Sequence, residues 1–179
     1  MNSPVTANEI MEAAQGMKRH TISLFVANKP GVLIRISLVF ARRGYNIDSL
    51  VVSSGSDPRF STMNIVARGD AKVLDQILKQ LNKLVDVVSA KDRTDEDIIQ
   101  KELALFKVGC TGAPRFEVLQ LAGSMECQVV EVSENAVILE TVGDSERIDS
   151  VFKVLEGYGV IELVRTGKVL MSRGSEITS

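Results

Sequence analysis

The sequence predicts an α+β fold built from two small βαββαβ modules in tandem. Two observations point to it: hydrophobic spacing switches between period two and period 3.6 in the same order twice, and the halves match at an offset of 74 residues. Composition agrees. The 179 residues include 45% hydrophobic and 25% charged side chains, which fits a globular chain and excludes disorder.

In the first half, residues 20–27 alternate, with Ile22, Leu24 and Val26 on one face and Thr21, Ser23 and Phe25 on the other, a strand with one buried face. Asn28-Lys29-Pro30-Gly31 breaks the period. A helix follows, with Val32, Leu33, Ile36, Val39 and Phe40 on one stripe, Arg42 and Arg43 in its last turn and Gly44 closing it. Residues 46–53 and 60–68 form a hairpin around the turn formers of 54–58. Asp70 opens a second helix with Leu74, Ile77, Leu78 and Leu81 inward, and residues 84–90 give a fourth strand. This order is a split β-α-β, or ferredoxin-like, module.

Residues 91–97 hold Asp92, Asp95, Glu96 and Asp97 and almost nothing apolar, which reads as a solvated linker and not a metal site. The order then recurs: strand 103–108, helix 114–125, hairpin 127–132 and 136–141, helix 144–156, strand 160–165. Gly69-Asp70 matches Gly143-Asp144, and Leu74, Ile77, Leu78 and Leu81 match Ile148, Val151, Phe152 and Leu155. The same supersecondary unit is used twice. Each is small enough that pairing with another subunit is expected.

The counts exclude several functions. Lys plus Arg number 21 against 23 Asp plus Glu, a net charge of -2, so there is no bulk field for nucleic acid or an anionic membrane. No apolar run is long enough to span a bilayer, and the first 16 residues lack the pattern of a signal peptide. Cys110 and Cys127 read as buried free thiols of a cytoplasmic protein. His20, the one histidine, has no acid or nucleophile beside it and reads as a surface residue. No constellation of acid, base and nucleophile appears, so the chain is expected to be noncatalytic, without a metal or cofactor of its own. The fold order also serves RNA-recognition modules and metal chaperones. The first would need aromatics on its central strands and the second a CxxC loop, and neither is present. A small-molecule-binding or interaction module remains.

Two segments could carry binding. Asn28-Lys29-Pro30-Gly31 precedes a helix whose free N–H groups suit a carboxylate, and Gly31 lets a ligand approach the backbone; it also reads as a plain turn. Gly44-Tyr45-Asn46-Ile47 starts a strand with an amide that can accept from an ammonium; it also reads as a polar strand start. Cys110-Thr111-Gly112-Ala113 takes the first segment's place in the second module, without Asn or Pro.

Residues 17–23, Asn28-Lys29-Pro30-Gly31-Val32-Leu33, the run 40–50 including Arg43-Gly44-Tyr45-Asn46-Ile47, and the closing Val164-Arg165-Thr166-Gly167-Lys168-Val169 together resemble the small regulatory subunit of acetolactate (acetohydroxyacid) synthase. The resemblance implies an N-terminal ACT domain over 17–91 and a C-terminal ferredoxin-like domain over 99–179, joined by an acidic linker, 92–98. It implies a homodimer through the ACT domains, with valine bound between them. The partner is a separate catalytic subunit that condenses pyruvate with itself or with 2-oxobutanoate and carries thiamine diphosphate, Mg and FAD. Carried onto this sequence, the valine-binding positions are Asn28, Lys29, Pro30, Gly31, Val32, Leu33, Asn46 and Ile47, with Asn46 coming from the partner chain. The competing class is a stand-alone amino-acid sensor acting on transcription. Residues 1–16 are an extension the family usually lacks, expected to matter little to folding or regulation.

Overall fold

The computed structural model describes residues 17–178 and divides into two compact units, Met1–Ile99 with Leu170–Ser179, and Gln100–Val169. The extension expected at 1–16 lies outside the described residues. In the first unit the order is β1 (Met17–Ala27), α1 (Val32–Ala41), β2 (Asn46–Ser54), β3 (Phe60–Asp70), α2 (Ala71–Leu81) and β4 (Val87–Asp92). Its sheet runs β2-β3-β1-β4, every neighbour antiparallel. The second unit holds β5 (Ile99–Gly109), α3 (Ala113–Ser124), β6 (Gln128–Val132), β7 (Ala136–Gly143), α4 (Ser145–Glu156) and β8 (Val160–Arg165), followed by the short β9 (Val169–Met171). The path β6-β7-β5-β8 repeats the first sheet strand for strand. The fold is α+β, two βαββαβ modules.

Period-two side chains of β1 and β3 meet period-3.6 stripes of the helices to form the first core. Ile22, Leu24 and Val26 lie under Ile36 and Phe40 of α1 and Leu74, Ile77 and Leu81 of α2. Phe106, Val137, Leu139, Ile148 and Leu155 do the same in the second unit. The shared Gly-Asp has two jobs. Asp70 and Asp144 cap their helices, accepting from the N–H of Lys72 and of Arg147. The glycines leave room for a crossing side chain. A Cβ on Gly69 would sit 2.3 Å from the Tyr45 ring, and one on Gly143 2.4 Å from Cδ of Arg147. The backbone slot is the same and the occupant differs.

Five expectations change. Leu33 points outward from α1, since Val32, Ile36 and Phe40 already fill the inward stripe. β1 is buried on both faces, with Ser23 only 1% exposed, because it runs between β3 and β4. His20 is buried at 4% exposure, on the helix side of the sheet, its Nε2 3.3 Å from the Gly69 carbonyl and its ring 6.3 Å from that of Tyr45. Residues 91–97 are not free: Asp92 ends β4, the Arg93 N–H donates to the Thr21 carbonyl (2.7 Å) and Thr94 Oγ1 accepts from the Thr21 N–H (3.1 Å). Lys91 and the carboxylates Asp95, Glu96 and Asp97 stay in solvent. The chain end, expected to close the second unit, packs with the first.

Candidate functional site

β1 delivers the loop 28–31 to one end of the sheet. Two backbone bonds fix its entry: Ala27 N–H to the Asp86 carbonyl and Asn28 N–H to the Arg59 carbonyl, both 2.8 Å. Gly31 adopts the left-handed conformation, φ 84°, which an L side chain enters only at a cost. It is the residue before the helix and provides no side-chain cap. The first helical bond runs from the Arg35 N–H to the Gly31 carbonyl (3.1 Å), and Val32 N–H donates to Lys29 (3.4 Å). The N–H groups of Gly31, Leu33 and Ile34 have no acceptor among the described residues, which gives the helix start its partial positive charge. No acidic residue sits in that first turn to use it up.

Two more side chains shape the loop. The Asn28 Nδ2 donates to the Pro58 carbonyl (3.0 Å), which leaves Oδ1 available as an acceptor. Arg35 folds back over Gly31, its guanidinium 3.1 Å from where a Cβ would stand, and pairs with Asp86 at 2.6 Å. Arg35 and Asp86 were not among the expected residues; the i, i+4 spacing of Gly31 and Arg35 was the available signal. Lys29 and Pro30 are exposed, and Val32 is buried in the core.

Asn46 and Ile47 begin β2 at the other end of the sheet. Asn46 is exposed, its Nδ2 donating to Asp48 (2.9 Å) and its Oδ1 again free to accept. In register, Asn46 faces Arg68 whereas Ala27 faces Phe60, eight positions along β3, so the two segments stand roughly 26 Å apart at about 3.3 Å per residue. One chain therefore does not bring them together.

Between these segments α1 presents a second apolar face, with Leu33, Leu38 and Ile34 (65% exposed) outward. Its ten residues, VLIRISLVFA, include one charge. A helix apolar on both sides is one that is covered. β2, alongside it, is an edge strand with Val52 exposed.

The two cysteines, His20 and Tyr45 are buried. Burial pushes the Cys127 thiol up from its ordinary value. Burial, then the Asp70 charge, raises Tyr45, whose hydroxyl donates to the Asp70 carbonyl. Among the described residues no group of three or more His, Cys, Asp or Glu is placed to hold a metal ion, and no helix is long and apolar enough to cross a membrane.

Two family models match the chain. The model of the small subunit-like ACT domain of acetohydroxyacid synthase covers residues 22–89, and that of the small subunit of acetolactate synthase covers 101–174. The chain belongs to the acetolactate synthase small-subunit family. It is 43% identical to a probable acetolactate synthase small subunit of Methanothermobacter thermautotrophicus, over 87% of this chain and 94% of that one. It is 37% identical to the acetolactate synthase small subunit of Mycolicibacterium smegmatis, over 90% and 95%. The crystal structure of the small subunit from Thermotoga maritima superposes with a TM-score of 0.78 at 34% identity, over 89% of this chain and 99% of that one. Within this family the first unit is the ACT domain, and the loop 28–31 lies inside its matched span.

Proposed function

We propose that this chain is the noncatalytic regulatory subunit of a cytoplasmic acetolactate synthase: it activates a separate catalytic subunit and makes it sensitive to valine. In this reading thiamine diphosphate, Mg and FAD stay on the catalytic subunit. The observation that carries it is the separation of two matching half-sites across one sheet. Antiparallel pairing of β2 with β2 of a second copy sets the start of one strand beside the end of the other. The end of β2 faces Ser61, next to the Phe60–Ala27 pair and the loop 28–31. Asn46 of the partner subunit then reaches Asn28 and Gly31 of the first, and the outward faces of the two α1 helices cover one another.

The residues divide the ligand by charge. The free N–H groups of Gly31, Leu33 and Ile34 take the carboxylate of valine, as helix starts take anions. Oδ1 of Asn28 and Oδ1 of the partner subunit's Asn46 take the ammonium, their own NH₂ groups being spent on Pro58 and Asp48. Leu33 and Ile34 supply the wall for the isopropyl group, whose full burial is worth ~1.5–3 kcal/mol. A ligand held by two chains binds the dimer and not the separated chains, so it shifts how the pair is held, and that shift is what the catalytic subunit senses.

The test combines calorimetric valine titration of this chain with pyruvate turnover by its catalytic partner. We expect no turnover by the chain alone, a raised rate when both are mixed, and loss of that increase with valine. A pure chain that turned over pyruvate, or a catalytic partner indifferent to it, would overturn the proposal.

A further inference from the structure

The polypeptide crosses between its two units twice, at 99–100 and again at 169–170. A single acidic linker would be a loose joint. The structure shows two segments instead, 93–98 leaving the first unit and 170–178 returning to it, each sending an arginine to the other. Arg93, in the outgoing segment, donates to the carbonyl of Thr178 and pairs with Glu96; its side chain is only 9% exposed. Arg173, in the returning segment, donates through Nε to Asp97 at 3.0 Å. Within the return, the Ser172 N–H donates to Oγ1 of Thr178 at 2.8 Å, turning the chain back on itself so that the Thr178 carbonyl meets Arg93.

The two arginines are not equal. Arg173 and Asp97 are both solvent-exposed, and such pairs contribute little. Arg93 is enclosed, and an enclosed guanidinium that loses its acceptors is costly to keep. The backbone of Arg93 and its neighbour Thr94 is tied to Thr21 on β1, the strand that runs directly into the loop 28–31. Hence the returning tail holds the outgoing segment, and the outgoing segment is bonded to the strand that carries the candidate site.

We infer that residues 172–178 are a clasp, closed on Arg93, that holds 93–98 against β1 and so links the ligand state of the loop 28–31 to the point where the chain leaves the first unit. The coupling half of this rests on the valine reading above; the clasp itself does not. Without the tail, Arg93 loses the Thr178 carbonyl and Asp97 loses Arg173, and the bonds of Arg93 and Thr94 to Thr21 are what still tie 93–98 to β1.

Two variants of the full chain test it, one ending after Met171 and one carrying Arg93→Gln. Amide hydrogen exchange is followed by mass spectrometry on the peptide spanning 93–98, with β3 as the internal reference. Exchange in 93–98 is expected to rise at least tenfold in both variants while β3 is unchanged; an unchanged rate in Arg93→Gln overturns the clasp. Mixed with the catalytic subunit, both variants should still activate and still bind valine by calorimetry, yet lose at least tenfold in sensitivity to valine inhibition. Faster exchange with full inhibition overturns the coupling. A wild-type chain that binds no valine would sink the functional reading, whereas the exchange measurement would still decide the clasp. If the truncated chain fails to fold, Arg93→Gln, judged on the same two readouts, decides alone.

Discussion

Gly31 separates backbone geometry from ligand chemistry, and two substitutions there pull them apart. In Gly31→Ala the new Cβ meets only the tip of Arg35, at 3.1 Å, and that flexible side chain can move. The cost lies in the backbone: φ 84° is left-handed, and an L side chain there costs roughly 1–2 kcal/mol. Gly31→Asp pays a similar backbone cost and adds a carboxylate at the helix start, where the free N–H groups and Arg35 would accept it in place of the ligand's own. Two like charges ~4 Å apart repel by about 1 kcal/mol in water and about 4 kcal/mol near a protein surface. Converted to affinity, that is about fivefold to nearly a thousandfold. Thermal melts and calorimetric valine titrations are run on both variants. Both should melt lower by similar amounts, Gly31→Asp should lose far more affinity than Gly31→Ala, and activation of the catalytic subunit should survive in each. Equal losses of affinity would mean that the loop matters only for its shape. Unchanged valine affinity in Gly31→Asp would remove the loop from the site.

On the proposed reading, Asn28→Ala would remove a charge-assisted bond to the ammonium, worth ~1.5–3 kcal/mol, so valine affinity should fall about ten- to a hundredfold by calorimetry with little change in melting. Ile34→Glu places a charge on the outward face of α1; circular dichroism should report an unaltered fold, because the side chain is mostly in solvent, while sedimentation shows dimer giving way to monomer. Gly69→Ala drives a Cβ to 2.3 Å from the Tyr45 ring, which is wedged in the core and anchored through its hydroxyl, so stability should fall by ~1–3 kcal/mol in a denaturant titration. Asn82→Ala should also destabilise, by ~1–3 kcal/mol on the same titration, since its side chain both donates to and accepts from the backbone of Ala90 (3.0 and 2.9 Å) and pins β4 to the end of α2.

What could be read from the sequence was what repeats at short range. Alternation and turn residues located the eight strands of the two modules, with bounds that shifted at some ends, stripes placed the four helices among the described residues, and the Gly-Asp pairs announced the duplication. What escaped depended on partners far away in the chain. His20 looked solvated because polarity suggests a surface, yet it points into the helix layer between Gly69 and Tyr45. Residues 91–97 looked unsupported because their supports, Thr21 and Thr178, are 73 and 85 positions away. β4 begins at Val87, not at 84, because Leu84 still turns with the end of α2 and accepts from the Val87 N–H. At the candidate site, Asn28, Gly31 and Asn46 stood out as residue types. Their distance from one another did not, since register along β3 has no trace in local spacing.

That distance has a consequence for how such a chain would count. A pocket completed within one molecule answers only to how much ligand is present. Half-pockets at opposite ends of a sheet answer to the product of ligand and protein, because a dimer must form before either pocket exists. Ligand in turn draws monomers together, adding RT ln(1 + [L]/Kd) per filled pocket to the dimer's favour. On the proposed reading, a scarce chain leaves its pockets unmade and the same valine goes unheard, whereas an abundant chain is already paired and responds at lower valine. On that reading, splitting the site would make the amount of regulator one of the signals it reads.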